Sequence, residues 1–219
     1  MDEKRIIVVD YYPVIRKGLI EVIRQEKDMV VCSETASTQN IHDLIREHQP
    51  NLLILDPALK EGSGIECIKD LKSNFPAVLI MAFSSNIDTI YVDFVLKAGA
   101  IGYVLKSDPL PEIINAIQKV FTGDVFVSER IRVRLLKRLL AKPDREKETP
   151  LELLSSRELE VFQLMGEGFA TKIIAKTLGL GIKTIETYKF NIKKKMGITD
   201  NTQLIQQAVR WANIIDRKV

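Results

Sequence analysis

Four residues with side chains suited to phosphoryl chemistry each follow a short apolar run, at the point where the run ends. Asp10 follows "IIVV", Asp56 follows "LLIL", Ser84 follows "LIMAF" and Lys106 follows "GYVL". Such runs predict buried strands. A carboxylate can accept a phosphoryl group as nucleophile, while a hydroxyl and an ammonium hold its oxygens. A single aspartate at a strand end more often caps the next helix, so the prediction requires all four side chains to lie together.

The elements that must position these side chains alternate over residues 1–126. Five strand-like runs are separated by segments with helical apolar spacing, and a fifth such segment follows the last run. This order implies right-handed crossovers and a parallel sheet with helices on both faces. We therefore predict a five-stranded, flavodoxin-like α/β domain that is doubly wound. Such sheets place their chemistry at the carboxyl ends of the strands.

A linker is predicted over residues 127–152, between this domain and a second one at 153–219. The stretch "SERIRVRLLKRLLAK" favours a basic helix, and "PDREKETP" is charged, has proline at both ends and lacks apolar periodicity. These features are typical of a helix followed by a flexible segment. The remaining residues show only helical periods, which predicts an all-α second domain.

Charge and composition restrict the partners. Residues 150–219 contain 11 lysines and arginines against 7 acids, whereas the rest of the chain has 21 against 22. A basic tail on a neutral body favours an anionic partner. The two cysteines and two histidines have no ligand spacing, which argues against zinc. No apolar run approaches the roughly 20 residues that span a bilayer. We expect a cytoplasmic protein without a membrane partner.

With "AGAIGYVLK" before the lysine, the four strand-end residues resemble the receiver domain of a bacterial two-component response regulator. The resemblance covers residues 1–126. It implies that Asp56 is the phosphoacceptor, Ser84 the switch hydroxyl and Lys106 the ammonium that grips the phosphate. Tyr103 matches the aromatic residue that rotates with the switch. The resemblance also implies a sensor histidine kinase as partner, and a regulator rather than an enzyme.

One departure from that family concerns the end of the first strand. Members normally have two adjacent acids there, and the second is a principal Mg²⁺ ligand, whereas here Tyr11 follows Asp10. A phenol with a pKa near 10 is neutral at pH 7 and a poor Mg²⁺ ligand. We expect Asp10 and Asp56 to form a weak, incomplete metal site, no cofactor to be required, and the Tyr11 ring to cover the pocket.

The tail contains signals for a helix-turn-helix. Ser155 and Glu158 have capping-box spacing, "TKIIAKTLGL" predicts a helix ending at Gly179, and "GIKTIETYKFNIKKKMG" predicts one ending at Gly197. At 100° per residue, Ile185, Ile192 and Met196 form one apolar line on the last of these helices. The opposite face suits a DNA major groove, although an amphipathic helix with solvated lysines gives the same pattern. Candidate DNA contacts are Lys172, Lys183, Thr184, Glu186, Thr187, Lys189, Phe190, Asn191 and Lys194.

The segments "LSSRELEVFQLMGEG", "TKIIAKTLGL" and "KTIETYKFNIKKKMGI" resemble the four-helix DNA-binding domain of LuxR-type, NarL/FixJ-class regulators. This resemblance implies binding to double-stranded DNA as a homodimer. The last helix, at about 201–214, is then expected to supply the dimer contact through Leu204, Ala208 and Trp211.

Three hypotheses follow. The first is a transcription regulator whose control depends weakly or not at all on phosphorylation, because Tyr11 replaces the metal-binding acid. The second is a conventional regulator activated by phosphorylation. The third, from another class, is a protein-binding decoy or phosphoryl sink without direct promoter control. A flavodoxin-like enzyme is disfavoured because no phosphate-binding glycine loop follows the first strand.

Overall fold

The computed structural model describes residues 3–58, 63–140 and 150–216, with side chains as far as residue 212. Of the described residues, 3–58 and 64–135 form one compact unit, and Ser63 with 136–140 and 150–216 form the other. Residues 141–149, which include all of the predicted flexible segment "PDREKETP" except Pro150, lie outside the described residues. The domain boundaries drawn at 126 and 152 stay a prediction, although the first unit extends beyond the former.

The first unit is a parallel sheet with strand order β2-β1-β3-β4-β5-β6. The strands are β1 (Lys4–Val9), β2 (Met29–Thr35), β3 (Leu52–Leu55), β4 (Leu79–Ser84), β5 (Gly102–Leu105) and β6 (Phe126–Val127). The helices are α1 (Pro13–Ile23), α2 (Ile41–His48), α3 (Gly64–Asn74), α4 (Thr89–Lys97), α5 (Leu110–Phe121) and the first part of α6 (Glu129–Leu140), whose residues after Leu135 belong to the second unit. The predicted parallel α/β fold is confirmed.

The predicted number of strands is one too few. β6 pairs in parallel with β5, with Phe126 opposite Gly102 and Val127 opposite Tyr103. A run of two residues is too short to show a period of two, so the sequence gives no strand signal there. The chain then continues into α6, where Ile131 is fully buried.

The central strands are apolar because helices cover both faces of the sheet. All four residues of β3 are buried, and β3 lies between β1 and β4 in the strand order. A strand buried on both faces reads as a continuous apolar run rather than an alternating one. This is why "LLIL" and "IIVV" end abruptly at polar residues: those residues are where the chain leaves the sheet.

Over the described part of the second unit, a 3₁₀ turn at Pro150–Leu153 precedes the four predicted α-helices: α7 (Ser156–Gly166), α8 (Thr171–Leu178), α9 (Ile182–Met196) and α10 (Asn201–Asp216). The capping box at the start of α7 is confirmed. The Glu158 amide donates to the Ser155 hydroxyl at 3.3 Å, and the Ser155 amide donates to the Glu158 carboxylate at 2.7 Å. α8 ends at Gly179, whose φ of 66° suits glycine because it has no Cβ to clash.

The apolar line predicted on α9 holds that helix in its domain. Ile185 and Ile192 are fully buried, and Met196 is half-buried. Three residues separate α8 from α9, which is the tight connection of a helix-turn-helix. Because one side of α9 is anchored in this way, its opposite side faces away from the core of the unit.

Candidate functional site

The four strand-end residues of the first unit lie at the same edge of the sheet. Asp10, Asp56 and Ser84 are buried, with 1%, 5% and 0% of their surface exposed. Backbone hydrogen bonds hold neighbouring strand ends level, since the Asp56 amide donates to the Val9 carbonyl and the Lys106 amide to the Ser84 carbonyl, both at 2.9 Å. These four side chains are called the pocket from here on.

Lys106 joins the two acids of the pocket. Its Nζ lies 2.6 Å from Oδ2 of Asp10 and 2.6 Å from Oδ2 of Asp56. The contact with Asp56 is a hydrogen bond, whereas the contact with Asp10 is an ion pair without hydrogen-bond geometry. The second oxygen of each acid accepts a backbone amide, from Tyr12 at 2.8 Å and from Ala58 at 2.9 Å.

Burial and charge act in opposite directions on these groups. Burial raises the pKa of Asp56 above its ordinary value, and the Lys106 ammonium offsets only part of that effect. For Lys106, burial disfavours the charge, but the carboxylates of Asp56 and Asp10 outweigh it and raise the pKa of the ammonium. The lysine therefore stays charged, and two acids share one cation.

Ser84 and Tyr103 meet at the loop after β4. The Ser84 hydroxyl accepts the Asn86 amide at 3.1 Å, and the fully buried Tyr103 donates its hydroxyl to the Asn86 carbonyl at 2.7 Å. Burial raises the pKa of Tyr103, so the phenol stays neutral and keeps its proton for this bond. The aromatic ring is thus held in an inward position.

A tyrosine ring lies over the pocket lysine, but it belongs to Tyr12. The Lys106 Nζ is 5.5 Å from the centre of the Tyr12 ring, a cation–π distance. Tyr11, which we expected to cover the pocket, is 39% exposed and stands edge-on to Tyr12 with ring centres 5.4 Å apart. Tyr12, and not Tyr11 as predicted, therefore lies over Lys106.

Two further residues at this edge carry no recognisable sequence signal. The Arg16 guanidinium donates to the carbonyls of Asp10 and Tyr11 at 2.7 and 3.1 Å, and to Glu34 at 2.8 Å. It fixes the turn that positions both tyrosines. Asn86 is 6% exposed, and its side-chain nitrogen has no hydrogen-bond partner among the described residues.

The donor set of the pocket fits Mg²⁺ poorly. Mg²⁺ requires near-octahedral oxygen ligands. The pocket offers the carboxylates of Asp10 and Asp56, and each has an oxygen 2.6 Å from the same ammonium. Within the described ranges, no three histidines, cysteines or acids are grouped so that they could hold a metal ion. The weak, incomplete site stays a prediction.

In the second unit, most of the candidate DNA contacts are on the surface. The exposed ones are Lys172, Lys183, Thr184, Glu186, Thr187, Phe190 and Lys194, and Asn191 is half-buried. Phe190 is 62% exposed, which is unusual for so large an apolar side chain. The Thr187 hydroxyl donates to the Lys183 carbonyl at 3.0 Å, so its proton is used within the helix.

Lys189 differs from the other candidates. Its side chain is only 12% exposed, and its Nζ lies 3.0 Å from Glu186 and 3.2 Å from the hydroxyl of Thr171 on α8. The hydrogen bond from Lys189 lowers the pKa of Glu186. In this arrangement Lys189 braces α9 against α8. Direct contact between Lys189 and DNA stays a prediction.

The residues predicted to form the dimer contact on α10 lie inside their own unit. Leu204 and Ala208 are fully buried and Trp211 is 6% exposed. The Trp211 ring packs against Phe162 of α7, with ring centres 5.8 Å apart. A Cβ added to Gly166 of α7 would lie 2.4 Å from the Ala208 carbonyl oxygen, so α7 and α10 pack backbone to backbone. Leu204, Ala208 and Trp211 therefore form part of the core of their own unit. The sequence showed that this stripe of α10 is apolar, but it did not show which surface covers the stripe.

Residues 6–118 match the response regulator receiver domain, and residues 152–208 match the luxR family of bacterial regulatory proteins. The chain therefore belongs to the two-component response regulators that join a receiver to a LuxR-type DNA-binding domain. Among the residues that the structure describes, no helix is long and apolar enough to cross a membrane.

Individual relatives resemble nearly the whole chain. The transcriptional regulatory protein DegU of Brevibacillus brevis is 27% identical over 96% of this chain and 95% of its own. A structure of the Salmonella typhimurium RcsB response regulator is 26% identical with a TM-score of 0.76, covering 96% and 98%. RcsB of Salmonella enterica serovar Typhimurium bound to promoter rprA in the presence of the phosphomimetic BeF3⁻ is 25% identical with a TM-score of 0.71, covering 94% and 98%.

Proposed function

We propose that this chain is a transcription regulator that binds double-stranded DNA as a homodimer, and that its receiver holds a DNA-competent state without phosphorylation of Asp56. The observation that carries the proposal is the position of the Lys106 ammonium, 2.6 Å from both Asp10 and Asp56. Beside these groups, Tyr11 stands where the family has its second acid.

The charge balance of the pocket explains why modification is expected to be slow. Two carboxylates and one ammonium leave a formal charge of about −1 in a buried place, and a phosphoryl group adds more negative charge. When bound, Mg²⁺ supplies the neutralisation that such transfers use. Asp10 and Asp56 are the residues that would hold it, but both already share the Lys106 ammonium. Unmodified Asp56 is therefore the stable state.

The inward ring of Tyr103 supports the idea of a fixed switch. Its hydroxyl is bonded to the Asn86 carbonyl at 2.7 Å and its side chain is fully buried. The aromatic residue therefore already fills the space beneath the loop after β4. A receiver that holds this arrangement without a phosphoryl group has no further inward movement for phosphorylation to induce.

The exposed side of α9 supports DNA binding. It presents Lys183, Thr187, Phe190 and Lys194 together, while the opposite side is buried in the domain core. Lysines at such positions meet phosphates or guanine, and an apolar group can meet a thymine methyl. The related RcsB structure contains promoter DNA. For the dimer contact we propose Ile205 of α10 in place of Leu204, Ala208 and Trp211, because Ile205 is 47% exposed and those three residues are buried.

The test is binding to a genomic fragment identified by mapping where the protein sits on its own genome. We expect affinity to fall steeply with salt, by about 0.9 in log–log slope for each phosphate contact. We also expect a complex with the mass of a dimer on a site with approximate two-fold symmetry. Binding that is insensitive to salt, or a monomer protecting one half-site, would contradict the proposal.

A conventional regulator activated by phosphorylation is the second candidate. The observation in its favour is that Asp56, Ser84 and Lys106 lie together at one sheet edge, which is the arrangement needed to accept a phosphoryl group from a sensor histidine kinase. A decoy or phosphoryl sink is less well supported, because such a protein has no need for the exposed Lys183, Thr187 and Lys194.

A further inference from the structure

A buried acid at the end of the sheet is used by neither site. Asp108, two residues after the pocket lysine, is 8% exposed, and Ser128, just before α6, is fully buried. Burying a carboxylate is unfavourable unless hydrogen bonds compensate for lost hydration. The hydrogen-bond partners of Asp108 therefore indicate which part of the fold Asp108 and Ser128 hold in place.

Asp108 and Ser128 converge on one backbone amide. The Leu105 N–H points to Oδ2 of Asp108 at 2.9 Å and to the Ser128 hydroxyl oxygen at 3.0 Å. The Ser128 hydroxyl donates to the same Asp108 oxygen. Leu105 lies between Tyr103 and Lys106, so the closed group of three bonds holds the segment of β5 that carries the switch ring and the pocket lysine.

Ser128 also bonds to the first turn of α6. Its amide donates to the Tyr103 carbonyl at 3.0 Å, and its own carbonyl accepts the amides of Ile131 and Arg132 at 2.9 Å. One residue thus connects β5 to the first turn of the helix that leads, along the chain, to the DNA-binding unit. These backbone bonds align the start of α6 with β5, and the side-chain bonds of Ser128 to Leu105 and Asp108 fix that alignment.

Two arginines of α6 reach the loops on either side of the pocket. Arg130 donates to the Ser107 hydroxyl at 3.1 Å, and Arg134 reaches the Ile87 carbonyl at 3.5 Å. Ile87 directly follows Asn86, whose carbonyl accepts the Tyr103 hydroxyl. The start of α6 therefore contacts the residue after Lys106 and the loop that holds Tyr103.

From this geometry we infer that Asp108 and Ser128 are positioning residues that couple the state of Tyr103 and Lys106 to the first two turns of α6. The inference rests on the proposed function for its effect on DNA affinity, but the coupling itself is a property of the first unit. In a purely structural role, the pair would stabilise the receiver without transmitting a change made elsewhere.

A double-mutant cycle read by hydrogen exchange distinguishes these roles, because independent sites give additive effects. In the full chain, Tyr103→Phe removes the hydroxyl that bonds Asn86, and we expect amide exchange in residues 131–135 to rise at least about fivefold. In a Ser128→Ala background the same change should alter exchange less than about twofold. Asp108→Asn, which keeps an acceptor for Leu105, should retain the response.

Thr122→Ala is the matched control, since that hydroxyl bonds Lys119 and Asp124 at the far end of α5. The Tyr103→Phe response should survive in that background. If Ser128→Ala does not fold, Asp108→Ala takes its place in the cycle.

An additive cycle, or no response to Tyr103→Phe in the parent, overturns the coupling. DNA affinity of the same variants forms a second arm and should follow the exchange rates. If the parent fails to bind DNA, the proposed function is wrong, while the exchange cycle still decides the inference.

Discussion

Replacing Tyr11 with aspartate should increase Mg²⁺-dependent labelling of Asp56 by acetyl phosphate at least about 10- to 100-fold, because the new carboxylate would be a ligand and the loss of even an outer-shell partner changes metal affinity by that much. Tyr11 is 39% exposed and lies directly after Asp10, so the new carboxylate can be accommodated next to the existing acids. It would add the third negative oxygen donor that the pocket lacks, and a Mg²⁺ held by three acids would neutralise charge that Lys106 now offsets alone. Phosphoprotein yield against time, with and without Mg²⁺, measures the change.

Tyr11→Asn is the matched control for that substitution. It also removes the phenol ring, but it leaves the number of carboxylates at two. If loss of the ring were sufficient to open the pocket, Tyr11→Asn and Tyr11→Asp would be labelled equally fast. That outcome would show that the ring, and not the missing acid, limits modification. Calorimetric titration with Mg²⁺ alone should show tighter binding only for Tyr11→Asp.

Substitutions on the exposed side of α9 should separate affinity from sequence preference. Lys194 lies in the last turn of the helix and is exposed, so Lys194→Ala should weaken binding to all sequences and reduce the salt slope by about 1. Thr187→Ala should relax the preference at one base pair, with discrimination falling by about 1 kcal/mol, the value of one buried methyl group. Binding to a mapped site and to single-base variants of it, at several salt concentrations, measures both effects.

The chain offers sharp controls for this second prediction. Lys17→Ala removes the same charge from an exposed residue of α1 and should leave the salt slope unchanged. Because the Thr187 hydroxyl donates to the Lys183 carbonyl, its methyl group is left to meet a base. Thr187→Val should therefore keep the preference and Thr187→Ser should lose it. Parent-like binding by both Lys194→Ala and Thr187→Ala would show that this side of α9 is not the DNA contact.

Regular patterns made much of the structure predictable from sequence. Runs of buried apolar residues end where the sheet ends, so Asp10, Asp56, Ser84 and Lys106 could be placed at one edge. The spacing of Ile185 and Ile192 likewise identified the buried side of α9. Both inferences depend only on local periodicity and on the rule that parallel strands share a carboxyl edge.

What could not be predicted depends on contacts between distant residues. Nothing local reveals that Arg16 grips the carbonyls of Asp10 and Tyr11, or that the Tyr12 ring lies over Lys106. The apolar stripe of α10 was assigned to a partner subunit, yet Trp211 packs on Phe162 within the same unit. Hydrophobic periodicity identifies a face to be buried, but it does not identify what buries it.

The central claim is that the receiver supports DNA binding without phosphorylation of Asp56. The most direct measurement is DNA affinity at one salt concentration for the parent, for the parent incubated with acetyl phosphate and Mg²⁺, and for Asp56→Asn, with phosphoprotein yield recorded alongside. We predict slow or undetectable labelling and three dissociation constants that agree within about twofold. If the unmodified receiver is already almost entirely in its DNA-competent state, phosphorylation cannot shift that conformational equilibrium much further. Rapid Mg²⁺-dependent labelling of Asp56, accompanied by a large gain in DNA affinity that Asp56→Asn abolishes, would contradict the claim and establish a conventional phosphorylation switch.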